Sequence, residues 1–282
     1  MTTLFVNKLT NIDFSYLDPE LGLVGESWLM DIQLAGDLNE QGMVLDFGIV
    51  KKQAKAYVDT YIDHCLVVPT AYAGCEVVAH DERLVIDFAL NSGATIHHES
   101  ISSAVSLIAV EQINTETMRD NILSALKKHL PENVQHIDVQ LYPQPDLDNY
   151  YRYSHGLQQH DGNCQRIAHG HRSDLKILID EQPSEEWKSY WTDLWRDIYI
   201  GTSAHVLDDS GDNMVFEYVA PQGKFLLHMP KESCYLINTE TTVENIAQHL
   251  ADETAKKVPG KTVKVIAFEG IAKGAIAVAG PV

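Results

Sequence analysis

His155, Cys164, His169 and His171 fall within one segment, YSHGLQQHDGNCQRIAHGH, and these types at this spacing could do metal and nucleophile chemistry. Side chains at i and i+2 of a strand share a face, so His169 and His171 present two imidazoles to one cation. His155, ahead of the loop, is the natural third ligand. Three protein nitrogens plus a water or substrate oxygen make the open arrangement of catalytic zinc. An HxH pair alone occurs by chance in many strands; His155 and Cys164 beside it give it weight. His160 reads as solvent-facing or as a group supporting a ligand, because a catalytic zinc keeps one position open.

The elements that must position these groups belong to an ordinary globular chain. Hydrophobic residues make up 45% and charged residues 22% of 282 positions, enough for a proper core in one large or two ordinary domains. A formal charge of −19 repels a nucleic-acid backbone, and no basic run offsets it. An anionic ligand would have to be drawn by local groups such as Arg166, Arg172, the histidines and a metal. No segment has the length of a membrane span and no basic start precedes an apolar run, so a cytoplasmic protein is expected. Cys65, Cys75, Cys164 and Cys234 lack the spacing of a disulfide framework and are expected as free thiols.

The chain contains an internal repeat. RLVIDFALNSGATIHH followed by INTETMRDNI returns as NMVFEYVAPQGKFLLHM followed by INTETTVENI. Each copy reads as strand, turn, strand and a helix capped by the Asn-Thr-Glu-Thr cluster. The expected apolar stripes are Met118, Ile122, Leu126 and Leu130 in the first helix, and Val243, Ile246, Ala247 and Leu250 in the second. Short strands should follow, His136 to Tyr142 and Thr262 to Phe268. Two homologous domains are implied, 1–145 and 146–282, meeting near Pro143-Gln144-Pro145. Earlier in the first half, Ser27 to Leu34 reads as a strand. GMVLDF then leads into a helix capped by Asp46, with a stripe of Phe47, Val50, Ala54, Tyr57 or Val58, and Tyr61. Asp63-His64 ends that helix; by itself the pair is a histidine favoured at a helix C-terminus beside a solvated aspartate.

With the HGH motif, the cysteine ahead of it, GMVLDF, the Asp-His pair, the Thr-x-Glu that opens a late helix and the glutamate after the last strand, the chain resembles the 6-pyruvoyl/6-carboxy-tetrahydropterin synthases. The likeness covers nearly the whole chain when it is treated as two copies. It implies an α+β chain of two tandem T-fold domains, each an antiparallel four-stranded sheet carrying two helices on one face and assembling into a barrel. It implies Zn2+ held by His155, His169 and His171, Cys164 with Asp63 and His64 as acid/base groups, and Glu269 gripping a pterin. Thr242 and Glu244 match the family's threonine and glutamate before its last helix, as pterin contact or capping.

Departures from the family pattern are complementary. The first-half positions matching HGH read VGES, with no cysteine ahead, and its last strand ends in Tyr142-Pro143 without the glutamate. The second half lacks GMVLDF, its helix is expected to carry DLWRDIYIGTSAHVL, and only His205 stands near the place of the Asp-His pair. Family members build the site between subunits and stack as hexamers. A fused pair therefore implies a homo-oligomer, a trimer of two-domain chains with about three zinc sites, each completed by the other half's groups.

The resemblance implies a zinc-dependent lyase acting on 7,8-dihydroneopterin triphosphate. Zinc activates the side chain, Cys164 moves a carbon-bound proton, His64 oriented by Asp63 returns one, and Glu269 accepts ring N–H groups. Triphosphate is lost, leaving a pyruvoyl chain or, with carbon–carbon cleavage, the carboxy product used for queuosine, toward which the reading leans. Cys164 argues against the variant with a glutamate in its place that leads toward folate. The alternatives are a pterin-binding homologue without turnover, and an unrelated zinc hydrolase that would leave Cys164 and Glu269 without a role.

Overall fold

The computed structural model describes residues 1–281. The first half runs β1 (Thr2–Asp18), β2 (Gly22–Gly36), α1 (Phe47–Tyr61), β3 (Leu66–Pro69), β4 (Cys75–His80), β5 (Arg83–Ala89), β6 (Thr95–Ile101), β7 (Val105–Ile108), α2 (Thr115–Leu126) and β8 (Val134–Pro143). The second runs β9 (Tyr151–His155), β10 (His169–Ser173), β11 (Leu175–Ile179), β12 (Gln182–Pro183), α3 (Glu185–Leu194), β13 (Arg196–Thr202), β14 (Val206–Asp208), β15 (Asn213–Ala220), β16 (Gly223–Pro230), β17 (Cys234–Ile237), α4 (Val243–Lys257), β18 (Val263–Phe268) and β19 (Gly274–Ala279). Among the described residues no helix is long and apolar enough to cross a membrane.

The architecture is mixed α+β, but the sheets differ from the expected antiparallel four-stranded form. The first is five-stranded in the order β7-β3-β1-β2-β8, with β3 parallel to both β1 and β7. The second half repeats this order as β17-β13-β9-β10 and β11-β18, because β10 and β11 are one strand path interrupted at Asp174. Asp174 turns its carboxylate onto the Leu175 amide at 2.8 Å and the Lys188 ammonium at 3.0 Å, which takes it out of the ladder. Among the described residues no sheet closes into a barrel.

The repeated hairpins do not stay in their own halves. β6 pairs antiparallel with β16, so β14-β15-β16-β6-β5-β4 form one six-stranded sheet drawn from both copies. Its inner face packs Ile86, Phe88, Phe216, Phe225 and Leu227 with Leu17 of β1 into a core common to the two halves. Each half also has its own core under its helices.

Asp46 caps α1 as expected, accepting from the Gly48 and Ile49 amides. Its buried face is Val50, Ala54 and Val58; Phe47 and Tyr61 of the expected stripe are about half exposed, since three buried turns suffice to cover the sheet. α2 buries Met118, Ile122 and Leu126 as expected but ends at Leu126, so Leu130 of the expected stripe lies beyond it. In the second half the expected helix over DLWRDIYIGTSAHVL ends at Leu194, and Arg196 to Thr202 continue as β13. The apolar run Ile198–Ile200 is buried as a strand against β9 and β17.

The strand pairs β1–β2 and β9–β10 cross in close contact. Ser15 Oγ and Ser154 Oγ lie 2.7 Å apart and buried at the centre. A Cβ on Gly25 would overlap the Tyr153 carbonyl, and one on Gly170 would stand 2.6 Å from the Gly25 Cα. Backbones approach this closely only where no side chain intervenes. Gly25→Ala and Gly170→Ala should each lower unfolding free energy by roughly 2 kcal/mol or more, as overpacking of a closed site does. Urea unfolding measures it; midpoints within 0.2 M of the parent's would contradict the close crossing.

Candidate metal centre and active site

β9 and β10 pair so that His155 stands opposite His169, and His171 follows two residues along the same face. The three imidazoles are buried, and one nitrogen from each lies within 4.8 Å of the others. His155 Nδ1 faces the Thr241 carbonyl at 3.0 Å and its hydroxyl at 3.1 Å. His169 Nδ1 faces the Arg166 carbonyl at 3.1 Å. A carbonyl only accepts, so each Nδ1 carries its proton and each Nε2 is left with a lone pair. The Nε2 atoms of all three histidines have no hydrogen-bond partner.

Burial, reinforced by the neighbouring imidazoles, pushes His155 and His169 well below the ordinary histidine value, so both rings are neutral. Neutral, buried, unpartnered ring nitrogens converging on one point are costly unless something occupies that point. A divalent cation fits, and nitrogen donors with one vacant position fit zinc. His160 is exposed and accepts from the Gly162 amide, outside this cluster.

The groups expected from the first half arrive within the same chain. His64 follows α1 in the left-handed region at φ 55°, which swings its ring over the second half. Its centroid lies 4.9 Å from His169. Ligating atoms of His64, Cys164 and His169 fall within 4.8 Å of one another. His64 Nδ1 donates to Asp63 Oδ2 at 2.6 Å, and Asp63 Oδ1 accepts from the Asp13 amide at 2.9 Å, fixing the pair to β1. Burial opposes charge on His64, but hydrogen bonds to Asp63 and Cys164 outweigh it and raise the imidazole to about 10.

Glu269 stands at the end of β18 with Oε1 4.0 Å from His171 Nε2 and Oε2 3.6 Å from the Lys273 ammonium. A five-residue turn closed by the Glu269 amide on the Lys273 carbonyl sets this spacing. Thr242 accepts from the Asn245 amide as the N-cap of α4, and Glu244 is exposed in its first turn. Of the threonines it is Thr241 that meets the histidines. Arg166, expected to attract an anion, is buried against Gln222 and the Cys65 sulfur. His205 lies away from the cluster, beside Gln158 and Glu240.

Sequence reasoning missed Asp13 and Lys273. Asp13 is buried at the junction, 3.4 Å from His171 Nδ1 and 3.3 Å from the Lys273 ammonium, and takes a 2.5 Å hydrogen bond from Ser27. Burial raises its carboxyl, but His171, Lys273 and Ser27 outweigh that and hold it well below the usual carboxylate range.

The same crossing creates a second junction. Ser15 pairs with Gly25 and Leu66, and Ser154 with Gly170 and Tyr199, so Glu26 occupies the place of His171 and Arg152 that of Asp13. Asp197, with φ 58°, takes the place of His64. Arg152 contacts Asp197 at 2.6 Å and Glu26 at 3.7 Å. The charges are inverted relative to the histidine junction.

The sequence pattern of the family described as 6-pyruvoyl tetrahydropterin synthase matches twice, over residues 22–151 and 144–278. The chain belongs to that family. Among solved structures it is similar to a Plasmodium falciparum 6-pyruvoyl tetrahydropterin synthase at 15% identity, over 51% of this chain and 92% of that one, with a TM-score of 0.43. A Plasmodium vivax 6-pyruvoyltetrahydropterin synthase gives 17% identity, 51% and 93% coverage and the same score. No curated protein matches.

Burial raises Glu26 from an ordinary 4.5 to about 7 despite the hydrogen bond donated by the Ser27 amide and the Arg152 guanidinium. The folded chain holds this proton more tightly than the unfolded one. Glu26 therefore favours folding below pH 4.5, and the contribution is lost as pH rises through about 7. Stability should fall by about 2 kcal/mol from this group between pH 5 and 8, and Glu26→Gln should flatten the decline. Parallel slopes for parent and variant in urea titrations at the two pH values would contradict the assignment.

Proposed function

We propose that the chain is a zinc-dependent lyase of the tetrahydropterin synthase type, acting on 7,8-dihydroneopterin triphosphate. The observation that carries this reading is the convergence of three buried imidazoles, each with an unpartnered Nε2, with Cys164, an Asp63-oriented His64 and Glu269 at one junction. An unrelated metal hydrolase would need the imidazoles but neither the thiol nor the glutamate.

His155, His169 and His171 would hold the metal through Nε2. When bound, zinc supplies Lewis acidity that makes a neighbouring carbon-bound hydrogen more acidic. Cys164, beside these ligands, takes that proton. His64 stands within reach of the same sulfur and, held by Asp63, returns a proton elsewhere on the substrate side chain. Glu269 accepts hydrogen bonds from the pterin amino and ring N–H groups, and Lys273 holds one of its oxygens. Thr242 serves this site indirectly, by starting α4 where Thr241 is left free.

Triphosphate leaves. The reading favours the carboxy product used for queuosine, with the pyruvoyl product as the other outcome of the same residues. The chain would work in the cytoplasm as a trimer, each copy contributing one complete site from its two halves and together forming the pseudo-hexameric barrel.

Mass spectrometry of the product after incubating zinc-loaded protein with dihydroneopterin triphosphate tests the activity. Cys164→Ala and His64→Ala should each lower kcat at least 100-fold, the scale of a lost acid/base group. Turnover undiminished in Cys164→Ala would remove the thiol from the mechanism, and a wild type without turnover would leave a pterin-binding protein. Light scattering should give three times the chain mass of 31.5 kDa; a monomer would overturn the assembly.

A further inference from the structure

The crossing of β1 with β10 places one first-half carboxylate against a second-half histidine. Asp13 is 4% exposed and its Oδ1 lies 3.4 Å from His171 Nδ1. The other two imidazoles already have an acceptor at Nδ1, a main-chain carbonyl in each case. His171 has no carbonyl there; both its ring nitrogens lack a hydrogen-bond partner.

We propose that Asp13 is a positioning residue for the metal: its carboxylate accepts the Nδ1 proton of His171, so that Nε2 turns to the cation as in His155 and His169. This rests on the histidine cluster being a metal site. A ligand imidazole needs its proton fixed on the far nitrogen, and a carboxylate there also raises the ring's basicity. The 3.4 Å separation is long for a hydrogen bond, and under this proposal it must shorten when Nε2 takes the cation.

The remaining contacts show what Asp13 is held by. Ser27 donates to Oδ1 at 2.5 Å, and Lys273 approaches Oδ2 at 3.3 Å while standing 3.6 Å from Glu269. A side chain on Gly270 would strike the Asp13 carboxylate; this glycine, with φ 66°, lets the turn after β18 pass over it. Lys273 thus bridges the carboxylate behind the metal ligand and the one proposed to grip the pterin. The first half therefore contributes to the metal centre itself, in addition to the proton-transfer pair.

The test is zinc affinity, by competition with a chromophoric chelator on the full chain at neutral pH. Asp13→Asn keeps size and shape but offers an amide that can no longer accept as an anion, and zinc Kd should rise 10- to 100-fold. The visible spectrum of the cobalt-substituted protein should change in the same variant, because one ligand loses its fixed orientation. A purely structural Asp13 would lower the unfolding midpoint of the metal-free protein and leave Kd and spectrum unchanged, which overturns the proposal. Ser27→Ala is the second probe should Asp13→Asn fold poorly; it removes the hydroxyl fixing the same oxygen and should weaken zinc several-fold, and an unchanged Kd counts against Asp13. Failure of the underlying reading looks different: the parent chain and His155→Ala would then bind zinc equally weakly.

Discussion

Everything distinctive about this molecule depends on two strand pairs touching backbone to backbone. At Ser15 and Ser154 the hydroxyls meet at 2.7 Å, and Gly25 and Gly170 remove the side chains that would hold the pairs apart. A conventional sheet-on-sheet contact keeps about 10 Å between layers, too far for a residue on one layer to orient a ligand on the other. Here β1 lies close enough to β10 for Asp13 to reach His171, and for the main chain after α1 to bring His64 over His169. Precision at the site follows from an absence of side chains at the crossing.

A crossing of two similar strand pairs has two sides, and the chain has used them differently. On one side three buried imidazoles meet an anion, Asp13, beside His171. On the other, the anion is Glu26 and the backing group is Arg152, itself forked by Asp197. A buried charge left alone costs several kcal/mol, so a junction with a buried carboxylate needs its own internal compensation. The guanidinium supplies it with planar geometry and a charge that does not titrate. The compensation is incomplete, which is why Glu26 is raised to about 7.

How much of this the sequence discloses varies with how local the cause is. The i, i+2 spacing of His169 and His171, the Asp46 cap and the helical stripe of Met118, Ile122 and Leu126 are local, and all stand where the pattern places them. The repeat discloses two like halves, but not that β6 and β16 pair across them, since edge pairing leaves no mark on periodicity. Nor does it disclose the end of α3: Ile198–Ile200 reads equally as a helix or strand run, and its flanking strands decide. Asp13 is one of 40 acidic residues in the chain, and its partner is more than a hundred and fifty positions away. Only the register of the crossing singles it out.

The duplicated INTET motif shows a tertiary contact overriding local preference within one chain. In the first copy Asn114 caps the helix and Thr115 begins it. In the second the helix begins at Val243, four residues later in the same motif, with Thr242 as cap. Both copies have the side chains to cap at the earlier point. In the second, residues 238–241 instead stay outside the helix, and Thr241 turns its carbonyl and hydroxyl to His155 Nδ1. Inside a helix that carbonyl would be committed to an amide four residues on, and His155 would have no acceptor to fix its tautomer. Forgoing a helical turn is therefore the condition for an open Nε2 on His155. The first half, which has Tyr16 where the second has His155, makes no such demand and keeps the turn.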